Sequence, residues 1–292
     1  MQVGVVFPQT EIGADPAVIR AYAAAVEELG YAHILAYDHV LGADPSGHPG
    51  WSGPYDVDST FHEPFVLFGY LAAVTSLELV TGVIILPQRQ TALVAKQAAE
   101  VDLLSEGRLR LGVGLGWNPV EYEALGKHFT DRGRRITEQV ELLRRLWTER
   151  VVTFQGAHET VTAAGLAPLG VQRPIPIWFG AQTPPALRRA GRLADGWFPQ
   201  WRPGPRLDEA IEIVSRSAEA AGRDPDSLGM EGRVGLSGGV DDAADQVAAW
   251  RALDATHVSI NTMGIGAAGI DRHIAALVEV ADAIGLRPRD VS

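Results

Sequence analysis

The 292-residue sequence contains no cysteine. That excludes disulfides, thiolate nucleophiles, cysteine-based zinc sites and cysteine-ligated iron–sulfur clusters together. Long hydrophobic runs are missing too. The richest apolar stretch, residues 79–86, is far short of the roughly 20 residues of a membrane helix. Residues 1–10 (MQVGVVFPQT) have no basic segment and too short an apolar one to act as a secretion signal. Basic charge is in deficit, with a formal net charge of −11. An acidic chain without a local basic patch repels a phosphate backbone, so nucleic acid is not an expected partner. No H-E-x-x-H, carboxylate cluster or G-x-S-x-G elbow occurs, so neither a metal nor a serine nucleophile is expected. The expectation is a soluble cytoplasmic protein that binds a small molecule and no membrane.

Hydrophobic residues make up 46% of the chain. A chain of this length buries roughly 75% of its unfolded surface, so it needs no staple. Strand and helix signals alternate throughout. Strands are expected at 3–7, 31–38, 78–86, 109–115, 175–180, 196–199, 230–236 and 256–261. Helices are expected at 16–29, 63–75, 91–105, within 118–148 (a short one and a longer one), and at 183–193, 206–221, 241–252 and 270–284. Residues 41–62, rich in Gly, Pro, Asp, Ser and His, form a long loop, a length usually reserved for function or mobility. Residues 151–162 (VVTFQGAHETVT) alternate around Gln155-Gly156 and read as a hairpin.

About eight β/α units imply a parallel sheet with right-handed crossovers. An open doubly wound sheet and a closed barrel compete. A dinucleotide fold would place G-x-G-x-x-G after the first strand, whereas here that strand ends in FPQTEIG and the glycine-rich loop follows the fourth. A (β/α)8 barrel takes about 250 residues, leaving room for insertions at 41–62 and 149–170. The reading is therefore a single-domain TIM barrel over residues 1–292, with loop insertions at the carboxyl rim.

Functional groups of such barrels sit at the carboxyl ends of the strands. Asp38-His39 follows the second strand, and either supplies an acid/base pair or is a capped turn with a packed histidine. Arg89 lies beyond the third. Gly114, Gly116, Trp117 and Asn118 follow the fourth, either as a loop that admits a ligand to the backbone or as a strand-to-loop turn with a core tryptophan. Gly180, Ala181, Gln182 and Thr183 precede a helix opened by Pro184-Pro185. Its free N–H groups suit a phosphate, with Arg188 and Arg189 near, or Thr183 is an ordinary cap. His257 begins a strand and faces the opposite rim. His273 is expected on a solvated outer helix.

These segments resemble the bacterial luciferase-like monooxygenase superfamily: TGVIILPQRQTALVAKQAAEVDLLSEGRLRLGVGLGW, EYEALG, RGRRITEQVELLRRLW and PIPIWFGAQTPPALRRAGRLADGWFP. They do so in order over essentially the whole chain, most closely in the branch that uses the deazaflavin coenzyme F420. The resemblance implies a TIM barrel holding F420, or alternatively FMN, at the carboxyl rim. It implies hydride transfer to or from a small organic substrate, with a flavin monooxygenase as the alternative. The cofactor ring would lie against a non-prolyl cis peptide, matched here by Gly82–Val83. His39 would be the acid/base and Asp38 its orienter. Arg89, Gly114, Gly116, Trp117, Asn118, Gly180, Ala181 and Gln182 would hold the cofactor. Trp51, His62 and Trp201 would shape the substrate pocket, with loop 41–62 as a lid. Sugar-phosphate dehydrogenases of the superfamily carry a Glu where Leu115 stands, which argues against a sugar-phosphate substrate. Family habit implies a homodimer.

Overall fold

The computed structural model describes residues 1–266 and 269–287. In chain order the elements are β1 (Gln2–Val6), α1 (Pro16–Glu28), β2 (His33–Ala36), α2 (Pro64–Ala72), β3 (Glu78–Thr81), β4 (Ile84–Ile85), α3 (Thr91–Leu104), β5 (Leu109–Gly114), α4 (Pro119–Ala124) and α5 (Arg132–Thr148). The hairpin β6 (Val152–Gln155) and β7 (Thr160–Ala164) follows. Then come β8 (Ile177–Ala181), α6 (Pro184–Leu193), β9 (Gly196–Pro199), α7 (Pro205–Glu219), β10 (Gly229–Gly235), α8 (Gly239–Ala252), β11 (His257–Asn261) and α9 (Ile270–Ala283).

The parallel strands run in the order β3-β2-β1-β11-β10-β9-β8-β5, and β5 pairs back onto β3. That last pairing closes the sheet into an eight-stave barrel. Closure needs strands with two dry faces, because one face meets the barrel interior and the other the surrounding helices. β2 and β5 are accordingly buried along their whole length. The helices begin where the sequence punctuates. The Asp15 side chain accepts from the Ala17 N–H at 2.8 Å, with Pro16 in the first turn. The Glu63 side chain accepts from the Val66 N–H at 2.8 Å, with Pro64 following.

Period-2 alternation sorts the interior into storeys. At the amino end, His33, Arg110, Glu231 and Ser259 form a buried polar network. His33 Nε2 lies 2.9 Å from both Glu231 Oε1 and Ser259 Oγ, and Arg110 bonds Glu231 and Glu78. Burial opposes the charge on Glu231, but Arg110 and His33 hold its carboxyl well below the usual range. Above lies an apolar storey of Val6, Leu35, Val80, Trp178 and Phe198, with Tyr37 and Val83 packed on it toward the mouth. The larger core fills the space between staves and helices.

Three expectations change. The strand read over 78–86 is broken by a cis peptide at Gly82–Val83 into β3 and β4, followed by a single 3-10 turn. β4 still pairs with Val113 and Gly114 of β5. His273 is buried rather than solvated, 2.8 Å from Thr262 Oγ1 and 3.3 Å from Glu11 Oε2. Residues 41–62 rise from the carboxyl rim, whereas the hairpin departs from the far end of α5 and runs back along it. Glu138 of α5 accepts from the N–H groups of Ala157, His158 and Glu159 at the hairpin tip. Among the described residues no helix is long and apolar enough to cross a membrane.

Candidate active site

A cavity of about 380 Å³ opens at the carboxyl mouth of the barrel. Its walls combine residues from the ends of β2, β4, β5, β8, β9 and β10 with Tyr55 from loop 41–62 and Arg132 from α5.

His39 stands where the chain leaves β2. Its Nδ1 is 3.1 Å from Glu121 Oε1, which also accepts from the Val40 N–H at 2.9 Å. Gln88 donates to Glu121 Oε2 at 3.2 Å. Burial opposes ionisation of Glu121, but the bonds from His39, Gln88 and Val40 together hold its carboxyl below the usual range. An ionised carboxylate only accepts, so the proton sits on Nδ1 and Nε2 is the free nitrogen of the ring. Phe61, Tyr55 and Trp117 surround the imidazole at centroid distances of 4.7, 5.2 and 5.4 Å. The ring is thereby fixed and partly screened from water.

Asp38 lines the same cavity but does not orient His39, as the sequence reading had it. Its Oδ2 accepts from the Ile85 N–H at 3.0 Å, and its Oδ1 from Arg89 Nη2 at 2.7 Å. Burial pushes its carboxyl up, against the pull of Arg89 and the Ile85 N–H. Arg89 in turn bonds Glu63 at 3.1 Å. Asp38 and Arg89 thus tie the β4 segment, and Val83 beside it, to the end of β2. Arg89 is consumed by this pairing and does not line the cavity.

Val83 forms part of the wall, and its neighbours are small for a steric reason. A Cβ on Gly114 would fall 2.5 Å from Val83 Cγ2. Gly116 has φ +64°, a left-handed conformation that glycine adopts at no steric cost. Gly82, Gly114, Gly116, Trp117, Gly180, Ala181 and Gln182 all reach the cavity. Asn118 does not. It caps α4, accepting from the Val120 N–H at 3.0 Å, and donates to Leu41 O at 3.4 Å.

At the opposite wall α6 begins with Pro184-Pro185 after Thr183, whose side chain makes no cap. Pro184 and Pro185 carry no N–H and the Leu187 N–H donates to Thr183 O at 2.9 Å, so the backbone donors this terminus offers an anion are those of Thr183 and Ala186. The nearby cation is Arg132 rather than the arginines of α6. Arg189 bonds Thr137 Oγ1 at 3.0 Å and Gly133 O at 2.7 Å, fastening α6 to α5, and Arg188 is exposed. Arg132 lines the cavity with its guanidinium 3.6 Å from the Phe129 ring centroid, and its Nε is buried without a partner among the described residues.

The three residues expected to shape the substrate pocket sit elsewhere. Trp51 packs on Trp117 at 5.5 Å with the rings tilted by 49°, His62 packs on Phe7 at 5.9 Å, and Trp201 lies against the core. Tyr37, Tyr55, Phe198, Gln200 and Arg233 occupy that wall instead. Period-2 alternation from His33, Gly196 and Glu231 would have placed Tyr37, Phe198, Gln200 and Arg233 on the inner face. Glu121 was hidden by its spacing from Asn118, which matches a capping box. No group of three or more metal-type ligands occurs among the described residues.

The family described as luciferase-like monooxygenase matches residues 1–283. A Mycobacterium tuberculosis protein of uncharacterised function is 42% identical over 164 residues, 56% of this chain; the chain thus spans about half (56%) of that relative's length. The F420-dependent hydroxymycolic acid dehydrogenase of the same species is 31% identical over 257 residues, 85% of this chain and 66% of the relative. Among solved structures, the coenzyme F420-dependent tetrahydromethanopterin reductase of Methanopyrus kandleri superposes with a TM-score of 0.77. It is 15% identical over 97% of this chain and 98% of that one, a likeness of fold alone.

Proposed function

Because the chain belongs to the luciferase-like monooxygenase family, we propose that it is an oxidoreductase that uses the deazaflavin coenzyme F420 to move a hydride to or from a small organic substrate. The observation that carries this reading is the convergence on one cavity of His39, the Val83 wall and the open α6 terminus with Arg132. The preference for F420 over FMN draws on the F420-dependent relative at 31% identity.

The residues present fit such a cofactor. Leu35, Val83, Ile85 and Phe198 offer apolar surface to a flat ring, and the Nε of Arg132, buried and without a partner among the described residues, suits a phosphate together with the Thr183 and Ala186 N–H groups at the start of α6. When bound, the cofactor supplies a hydride donor or acceptor. The protein's part is orientation and proton handling. Glu121 keeps the His39 proton on Nδ1, so Nε2 can take a proton from a substrate hydroxyl or return one in the reverse direction. The aromatic ring of Tyr55, Phe61 and Trp117 limits water at that nitrogen.

Equilibrium titration of the protein with F420 and with FMN tests the reading. F420 is expected to bind more tightly, and His39→Ala to lower turnover with little change in that affinity. Binding of FMN alone would overturn the choice of cofactor.

A further inference from the structure

The cavity holds two guanidinium groups that no carboxylate neutralises among the described residues, in a chain whose formal net charge is −11. One is Arg132, beside the α6 terminus. The other is Arg233. Alternation along β10 puts Glu231 and Arg233 on the same inner face, one pleat repeat apart. Glu231 is committed below to Arg110 and His33. Arg233 points into the mouth, where both partners are neutral: Tyr37 Oη at 3.4 Å and Gln200 Oε1 in close contact. Gln200 is itself oriented, its Nε2 donating to Phe198 O at 3.2 Å. These contacts use two of the five guanidinium donors.

The neighbourhood favours an oxyanion on an apolar body. The Tyr37 ring lies 5.9 Å from the Arg233 guanidinium, and Phe198 lines the adjoining wall. Tyr55 lines the same cavity and is close enough to feel both Tyr37 and Arg233 electrostatically. A guanidinium fork matches a carboxylate through two parallel hydrogen bonds, which a neutral amide cannot reproduce. Since the anion site at Arg132 and α6 serves the cofactor's phosphate, the cation at Arg233 is left for the other reactant.

We propose that the substrate of this site is an organic acid and that Arg233, flanked by Tyr37, Tyr55 and Gln200, is the specificity-determining residue that binds its carboxylate. The proposal rests on the reading of the cavity as a cofactor-and-substrate site, and it names the substrate class.

Calorimetric titration with benzoate and hexanoate, each against its neutral amide, tests it in the wild type, Arg233→Gln and Arg132→Met. A charge-assisted bond of this kind corresponds to roughly tenfold or more in affinity. The wild type is expected to prefer the acids by about that factor. Arg233→Gln should abolish the preference and Arg132→Met should keep it. Equal affinity for acids and amides overturns the proposal, as does a preference that disappears with Arg132 instead. F420 titration of the same proteins separates the two levels. F420 binding with no acid preference sinks the proposal alone, and acid preference through Arg233 without F420 binding sinks the cofactor reading alone. Loss of F420 affinity in Arg233→Gln would make Arg233 a cofactor contact and also overturn the proposal. If Arg233→Gln does not fold, Arg233→Lys keeps the charge but loses the fork. It is then expected to weaken the preference without abolishing it, and an unchanged preference overturns the proposal.

Discussion

Removing the Arg89 guanidinium should leave the Asp38 carboxylate stranded. Asp38 is buried, and its two oxygens are held by Arg89 at 2.7 Å and by the Ile85 N–H at 3.0 Å. In Arg89→Met only the N–H remains. An uncompensated buried charge generally costs about 3–5 kcal/mol. Protonation sets a ceiling. With an unfolded pKa near 3.9, keeping Asp38 neutral in the folded state at pH 7 costs about 4 kcal/mol. Asp38 already sits above its ordinary pKa in the wild type, so part of that penalty is present before the substitution. The expected loss is therefore about 2–4 kcal/mol at pH 7. The sign follows from linkage. The folded pKa of Asp38, already raised in the wild type, is raised further in the variant, so the deficit relative to the wild type is larger at pH 7 than at pH 5. Urea unfolding at pH 7 and pH 5 measures this directly. Asp38→Asn in the Arg89→Met background should recover most of the loss, because the amide oxygen still accepts from Ile85 and carries no charge. Additive effects of the two substitutions, or a deficit that does not vary with pH, would refute the reasoning.

Three further outcomes are expected. The tautomer of His39, read from its ring nitrogen shifts in long-range proton–nitrogen NMR, should carry the proton on Nδ1 in the wild type and shift toward Nε2 in Glu121→Leu; a wild-type Nε2–H would remove Glu121 from the account. Arg132→Met should weaken F420 binding by roughly tenfold, the size of one charge-assisted contact, and unchanged affinity would move the phosphate elsewhere. His257 is depressed to about 4 by burial first and then by Arg110. Its neutral form is the folded one, so its contribution is intact above about pH 6.5 and is lost as pH falls toward 4. The thermal midpoint of the wild type should accordingly fall faster than that of His257→Gln between pH 7 and pH 4.5, and parallel curves would count against the assignment.

The barrel was legible because its signals are local and repeated. Apolar strand runs, helices opened by Asp15-Pro16 and Glu63-Pro64, and rim loops at fixed chain positions each carry their own chemistry. The glycines at 82, 114, 116 and 180 could be placed at the mouth for the same reason. What the sequence concealed was pairing across the barrel. The Asp38–Arg89 bond spans 51 residues and the His39–Glu121 contact 82, and adjacency in the chain suggested Asp38 as the partner of His39. Trp51 and His62 belong to a loop whose packing no periodicity fixes, so residue type alone misplaced them. Arg233 and Tyr37 were within reach of period-2 counting from Glu231 and His33.

In the proposed complex one mouth holds the F420 ring against Val83, with the phosphate at the α6 terminus and His39 Nε2 free toward the substrate. A crystal structure of the F420 complex tests it most directly. The phosphate is expected within hydrogen-bond reach of the Ala181–Thr183 backbone and Arg132, with the ring resting on Val83. A phosphate bound away from α6, or a ring bound outside this cavity, would contradict it.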